Sequence, residues 1–152
     1  MSLPYQEGTL FAVPLPGGGF GVGVVARATS EGKVILCYFF GPRRRQVPTL
    51  RDIGDVRPRD AVRVLRVGDL GLISGEWSVI GQSSNWRRSE WPIPAFLRAD
   101  PLSGRAWLVE YDDSDPNHVI REIPIDGIDP SLDRDSLSGS GAAERKLDAL
   151  LA

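Results

Sequence analysis

The chain has 152 residues, of which 41% are hydrophobic, and its formal net charge at pH 7 is −2. This length is typical of one globular domain, and a charge so close to zero argues against a general nucleic-acid binder held by phosphate contacts. No apolar run approaches the roughly 18 residues of a membrane span, and the N-terminus lacks a secretory signal, so we expect a cytoplasmic protein outside the membrane.

The first 30 residues predict a β-hairpin. In TLFAVPLPGGGFGVGVVARAT, residues 9–29, apolar side chains alternate along two segments. The intervening PLPGGG contains prolines that exclude a helix and glycines that allow positive backbone angles. A phosphate-binding loop is the other interpretation, but no lysine follows at P-loop spacing and no helical pattern begins there.

The segment KVILCYFF, residues 33–40, predicts a strand buried on both faces. Cys37 has no histidine or helix start nearby to lower its pKa, so we expect an apolar filler and not a nucleophile. Residues 41–60 contain three prolines and many arginines, which indicates a surface connection with one helical turn. Its run of three arginines could face phosphate or an acidic partner, although a solvated loop is the more common outcome: Arg43, Arg44 and Arg45.

The stretch LRVGDLGLISGEWSVIG, residues 65–81, follows a segment that favours a strand over residues 61–67. Its four glycines allow sharp turns between short strands, and Trp77 supplies a large apolar body that can seal a small barrel or bent sheet. Alternation in WSVIG places Trp77, Val79 and Gly81 on one face. WPIPAF, residues 91–96, then leads into a further strand.

The last third of the chain predicts a second hairpin and a helix. Residues 105–113 and 118–125 are strands joined by a turn that contains Asp115, Pro116 and Asn117. Residues 126–141 lack a steady period and indicate a partly mobile linker. The final segment places four apolar residues on one stripe of an amphipathic helix: Ala143, Leu147, Leu150 and Leu151. We expect this helix to dock on the sheet, and the alternative is that it contacts a partner.

Together these elements predict a mainly β (α+β) fold, built on a strongly bent antiparallel sheet or small barrel with a C-terminal α-helix. We expect one β-rich domain over residues 1–125, with the linker and helix of residues 126–152 docked on it. Charge is uneven along the chain, since residues 1–105 carry 14 basic and 9 acidic side chains, whereas residues 106–152 carry 4 and 11. This asymmetry could steer a charged partner, or the two parts could fold together and cancel.

The residue inventory argues against catalysis. One cysteine and one histidine cannot supply the three ligands of a usual Cys/His metal site. His118 lies beside a turn with no partner that marks a catalytic device. The acidic turn resembles part of a calcium loop but lacks its glycine and its distal glutamate. We therefore expect no metal, no cofactor and no catalytic residue, and a hydrolase built on Glu110 and Glu122 is a distant alternative.

Five blocks in order resemble the immunity protein 26 family of bacterial polymorphic toxin systems: YQEGTLFAVPLPGGGFGVGVV, CYFFG, VGDLGLISGEWSVIG, WPIPAF and WLVEYD. The resemblance runs from about Tyr5 to about Tyr111. It implies a cytoplasmic, non-enzymatic protein that binds and occludes a cognate toxin domain, with nucleases among the toxins of such systems. An antidote that mimics nucleic acid is expected to be strongly acidic, and only residues 106–152 fit that description.

Two loops hold the residues that we expect to contact the toxin. The first is polar and combines tryptophans with arginines, as interface hot spots do: Trp86, Arg87, Arg88 and Trp91. The second contributes carboxylates: Asp112, Asp113 and Asp115. The alternative for the tryptophans is that both rings fold back onto the core edge. The alternative function is a β-barrel module that binds nucleic acid or a small ligand through residues 43–45 and exposed aromatic side chains.

Overall fold

The computed structural model describes residues 2–152, which form nine strands and three α-helices. The strands are β1 (Thr9–Pro14), β2 (Phe20–Arg27), β3 (Val34–Arg44), β4 (Arg63–Gly68), β5 (Ser78–Gln82), β6 (Phe96–Ala99), β7 (Ala106–Asp112), β8 (Asp115–Ile125) and β9 (Leu137–Ser138). The helices are α1 (Leu50–Ile53), α2 (Leu70–Ser74) and α3 (Ser140–Leu150). Single 3-10 turns lie at Pro58–Asp60 and Arg88–Glu90.

The strands form two sheets. One has six strands in the order β5-β1-β2-β3-β4-β9, antiparallel throughout except for the parallel pair β4 and β9. The other is antiparallel with the order β6-β7-β8. The mainly β fold with a C-terminal helix is confirmed. The predicted single sheet or small barrel is wrong, because within residues 2–152 both sheets stay open and pack against each other.

The six-stranded sheet is buried on both faces, as the continuous apolar sequence of β3 predicts. One face packs against α3, which inserts Ala143 and Leu147 into a core that also contains Phe11 and Trp77. Leu151 packs at the edge of this core, whereas Leu150 is exposed, so the predicted apolar stripe is wrong at Leu150. The helix is therefore held by two or three side chains and not by four.

The opposite face packs against the three-stranded sheet. Their shared core is rich in aromatic side chains from both sheets: Tyr38, Phe40, Trp91, Phe96 and Tyr111. Edge-to-face contacts join several of these rings, with centroids 5.1 Å apart for Tyr38 and Trp91 and 6.0 Å for Phe96 and Tyr111. This core fixes the three-stranded sheet on the six-stranded one, and it lies directly beneath the loop that follows β5.

The glycine-rich stretch at residues 65–81 forms the short helix α2 between β4 and β5, where we predicted only turns and strands. The helix ends at Gly75, whose φ of 83° is in the left-handed region that favours glycine. Trp77 is fully buried as predicted, whereas Val79, which lies opposite Phe11 on the edge strand β5, is 46% exposed. Gly71 lies against the Trp77 ring, and a Cβ there would be 2.6 Å from it.

Substitution of Gly71 by alanine is expected to lower the free energy of unfolding by about 1–3 kcal/mol. The added methyl group would overlap the Trp77 ring, which has no room to move in a packed core. Urea unfolding measures the change. Gly139→Ala is the matched control, since a Cβ at Gly139 meets nothing within 4 Å. Equal stability of the two variants would contradict the close packing of helix α2 on Trp77.

The β7–β8 hairpin has a tighter turn than predicted. Asp112 pairs with Asp115, so the turn is made by Asp113 and Ser114, while Pro116 and Asn117 belong to β8. The tighter turn has a local cause: the side chain of Asp112 accepts hydrogen bonds from both the backbone and the hydroxyl of Ser114 and closes the turn by itself.

The arginine run at residues 43–45 is less solvated than predicted, since β3 continues to Arg44. The guanidinium of Arg43 donates to the Asp148 carboxylate at 2.6 Å and to the Leu151 carbonyl at 3.1 Å, so it holds the end of α3. The rest of residues 41–60 does contain one helical turn, α1, which begins with a capping box between Thr49 and Asp52. Arg43 is therefore structural and is not free for phosphate.

The acidic C-terminal part folds against the basic N-terminal part. Five acidic residues of 106–152 form ion pairs with arginines of 1–105. The pairs are Asp113 with Arg27 and Arg88, Glu122 with Arg98, Asp133 with Arg63, Asp135 with Arg66 and Asp148 with Arg43. Of the two interpretations of the charge asymmetry, internal cancellation is the one observed. Residues 126–141 carry two of these acids, and their backbone is bonded to β6 through Leu97.

Candidate partner interface

The loop that follows β5 is held at several points by side chains from elsewhere in the chain. Gln82 donates to the Glu7 carbonyl at 2.8 Å and accepts from the Thr9 hydroxyl at 3.2 Å. Further along, Asn85 donates to the Asp55 carboxylate at 2.8 Å. These bonds fix the backbone on which Trp86 and Arg87 lie, and a fixed backbone lowers the entropy cost of binding a partner.

The two tryptophans of this loop have different environments. Trp91 is only 4% exposed and lies in the core between the sheets, so the prediction that it stands in a wet loop is wrong. Trp86 is half-buried and rests on Trp91, with ring centroids 5.3 Å apart. On its other side it covers Gly8, where a Cβ would be 2.9 Å from the ring. Trp86 thus presents part of a rigidly supported indole to solvent.

A depression of about 550 Å³ lies beside Trp86. It runs between the N-terminal segment, the end of β2 and the last residue of β5, and its wall includes Leu3, Tyr5, Glu7, Ser30, Gln82 and Trp86. Among the described residues that line it, Glu7 has the one charged side chain. The sequence pattern did not identify this depression, because Glu7 and Gln82 are 75 residues apart and no local signal joins them.

A charged network connects the Trp86 loop to the β7–β8 turn. Arg88 donates to the Glu7 carboxylate at 2.9 Å and to the Asp113 carboxylate at 2.5 Å. The guanidinium of Arg27 is buried and donates to the same Asp113 carboxylate at 2.9 Å. Partial burial raises the pKa of Asp113, but the hydrogen bonds from Arg88 and Arg27 outweigh it and hold the pKa below its usual value. The two predicted loops are therefore neighbours in space.

The other predicted residues divide into one free charge and two turn-forming acids. Arg87 is exposed and forms no ion pair among residues 2–152. Asp112 accepts from Ser114, whose backbone and side-chain hydrogen bonds lower the pKa of the carboxyl. Asp115 accepts from the backbone of Asn117 at 2.9 Å. In the part of the chain that the structure describes, no three metal-ligating side chains converge.

The two carboxylates of the hydrolase alternative are kept apart. Glu122 lies opposite Val109 and Glu110 lies opposite Arg121, so the two side chains project from opposite faces of the hairpin. Each has its own arginine, Arg98 for Glu122 and Arg121 for Glu110. The hydrogen bond from Arg98 lowers the pKa of Glu122, whereas a general acid needs a raised one. This pair does not form a catalytic dyad.

Acid is expected to weaken the link between the two loops. Because the folded-state pKa of Asp113 is lowered, its contribution to stability is complete above the ordinary value of 3.8 and is lost as the pH falls through the folded pKa. The carboxyl is 64% exposed, so solvent limits the effect to about 0.5 kcal/mol. Urea unfolding between pH 2.5 and 6 measures this effect. The free energy of unfolding of Asp113→Asn should fall less towards low pH than that of the unmodified chain.

The exposed Asp126 forms no ion pair among residues 2–152 and supplies the control for this measurement. Asp126→Asn should leave the acid decline unchanged. If the free energy of unfolding of both variants changes with pH as it does in the unmodified chain, the Asp113 network does not link the loops in solution.

Comparison with known protein families gives a match. A family model described as Immunity protein 26 matches residues 6–108, about two thirds of the chain. No curated protein and no solved structure matches this chain. The matched region contains Trp86 and its supporting residues, and it ends before Asp113 and α3. Within residues 2–152, none of the helices has the length and apolar character that a membrane span requires.

Proposed function

This chain belongs to the immunity protein 26 family, and on that premise we propose that it binds a cognate toxin domain in the bacterial cytoplasm and blocks it without catalysis. The contact surface is called here the Trp86 surface, and it comprises Trp86, Arg87, Arg88, Asp112, Asp113 and Asp115. Trp91 is left out because its ring is buried; its role is to support Trp86 from below.

One observation supports placing the contact surface at Trp86. This side chain is partly exposed, packs on the buried ring of Trp91 and lies at the edge of the 550 Å³ depression. Tryptophan and arginine are the residue types most enriched at interface hot spots, and hot spots lie where the surrounding structure is well packed. Arg87 is adjacent to Trp86 and has its charge free for a partner. The Arg88–Asp113 link holds the two loops in one arrangement before binding, which reduces the ordering cost.

The chemistry of the toxin is only partly constrained. A nuclease inhibitor that mimics nucleic acid needs a cluster of free carboxylates. Five of the acidic side chains of residues 106–152 are instead paired with arginines of the first 105 residues. We therefore propose occlusion by shape and local charge pairing rather than phosphate mimicry, over an interface of roughly 800 Å² per partner.

Co-expression with the toxin domain encoded next to this gene tests the proposal. The chain should co-purify with that domain and protect the cell that makes it. Trp86→Ala should weaken the complex by about 2 kcal/mol, or roughly 30-fold in Kd. Arg145→Ala, on the exposed side of α3, should leave Kd unchanged.

Two results would refute the proposal. One is a toxin that stays lethal and fails to co-purify with the folded chain. The other is tight binding of mixed oligonucleotides that falls steeply between 50 and 200 mM salt, which would favour a nucleic-acid-binding module. A Trp86→Ala variant that binds the toxin as tightly as the unmodified chain would leave the immunity function intact and move the interface elsewhere.

A further inference from the structure

A second cleft lies at the end of the three-stranded sheet, at the turn between β6 and β7. Its volume is about 440 Å³, and its walls come from this turn and from residues 128–134. Both Arg105 and Arg134 line it, together with Asp100, Pro101 and Ile128. We propose that this cleft binds a single carboxylate attached to an apolar residue, as presented by a peptide segment of a protein partner.

The charge of the cleft fits one monoanion. Neither Arg105 nor Arg134 forms an ion pair among residues 2–152, so two guanidinium groups are available for a ligand. The Asp100 carboxylate is already used by its own turn, where it accepts from the Leu102 backbone at 3.0 Å and from the Ser103 hydroxyl at 2.8 Å. The net charge of the lining is +1, and the planar donor set of a guanidinium suits a carboxylate.

The two arginines stand on fixed backbone. The β6–β7 turn is closed by bonds from the Asp100 backbone to the Arg105 carbonyl and from Gly104 to the Asp100 carbonyl, at 2.8 and 2.9 Å. The segment with Arg134 is bonded along β6, where Leu97 donates to Asp133 at 2.8 Å and accepts from Asp135 at 2.7 Å. The cleft therefore exists before any ligand binds, in keeping with pre-formed ligand sites.

Apolar side chains lie in and beside this cleft. Ile128 lines it and is 54% exposed, while Leu102, on the same turn but outside the lining, is 96% exposed. A smaller depression of about 290 Å³ shares Arg105 with the cleft, and its lining includes Trp107 and Pro124 together with the carboxylate of Asp126. Exposed apolar side chains beside unpaired arginines match the composition of a peptide-binding surface rather than a site for a hydrated inorganic anion.

Part of this cleft lies outside the region matched by the family model, because Ile128 and Arg134 follow residue 108. The C-terminal part of the chain thus adds a guanidinium and an apolar wall to a turn within the matched region. The inference rests on the proposed function only in naming a protein partner; the binding chemistry of the cleft can be measured without the toxin.

Titration of the full chain with N-acetyl-leucine, followed by amide and indole NMR shifts, tests the proposal. Saturable shifts are expected at residues 99–105 and 128–134, and Arg105→Gln and Arg134→Gln should each weaken binding about tenfold. Arg145→Gln removes the same charge from α3 and should change nothing. Circular dichroism confirms that each variant is folded before its affinity is compared.

Three results would overturn the inference. Equal shifts with the neutral N-acetyl-leucinamide would show that the carboxylate is not recognised. Equal or tighter binding of inorganic phosphate would show a general anion site. Unchanged affinity in both folded arginine variants would place any binding elsewhere. A failed titration would leave co-purification with the toxin unaffected, so the two proposals can fail separately.

Discussion

Substitution of Trp77 by alanine is expected to lower the free energy of unfolding by about 3–5 kcal/mol, the largest loss for a single side chain in this fold. Trp77 is fully buried and stacks on Phe11, with ring centroids 5.3 Å apart and planes within 3° of parallel. Its indole N–H donates to the Glu144 carboxylate of α3 at 2.8 Å. The substitution would leave a cavity between the six-stranded sheet and the helices and would remove the bond that anchors α3.

Urea unfolding followed by far-UV circular dichroism measures this loss. Trp77→Phe keeps an aromatic ring over Phe11 but loses the bond to Glu144, so it should be destabilised by a smaller amount, about 1–2 kcal/mol. Trp86→Ala, which removes a half-buried ring, is the comparison on the other side of the sheet. If Trp77→Ala were no less stable than Trp86→Ala, the central role of Trp77 in the core would be refuted.

Removal of the Asp135 carboxylate is expected to cost about 3 kcal/mol. The guanidinium of Arg66 is 8% exposed, lies 4.0 Å above the Tyr111 ring and donates to the Pro116 carbonyl at 2.7 Å. Asp135 is its acidic partner at 3.5 Å and also accepts from the Tyr111 hydroxyl. Asp135→Ala would leave a buried positive charge and a buried hydroxyl without this partner, and breaking such a pair is strongly destabilising.

Two variants separate charge from hydrogen bonding at this position. Asp135→Asn keeps an acceptor for Tyr111 but removes the charge that faces Arg66, so its stability should lie between those of the unmodified chain and Asp135→Ala. Asp129→Ala removes an exposed acid of the same segment, whose hydrogen bonds reach only Ser131, and should change stability by less than about 0.5 kcal/mol. Equal urea midpoints for Asp129→Ala and Asp135→Ala would show that Arg66 does not depend on Asp135.

The Arg66 cluster also explains why the C-terminal segment belongs to the fold. Arg66 lies on β4 of the six-stranded sheet, and it contacts Pro116 and Asn117 of the three-stranded sheet and Asp135 beyond it. One guanidinium therefore connects β4 to two later parts of the chain, which follow it by 50 and 69 residues. Its planar set of five donors allows this, and a lysine could not replace it.

The candidate site shows where sequence reasoning stops. Trp86 and Trp91 lie five residues apart in the same polar loop, and composition alone does not distinguish them. Only the core between the sheets decides that Trp91 is buried and that Trp86 rests on it. Likewise, Glu7 and Gln82 line the depression beside Trp86, and no local pattern associates these two residues with it.

The sequence by itself determined the local elements: the first hairpin from its glycines and alternation, the buried strand β3 from its continuous apolar run, and helix α3 from its periodic leucines. Such features depend on residues only a few positions apart, which is why they can be predicted. The tertiary structure alone decided that the sheets remain open, that Arg43 and Asp113 serve the fold, and that opposite charges cancel inside the molecule. These outcomes depend on contacts between residues far apart in the chain, and no local pattern encodes such contacts.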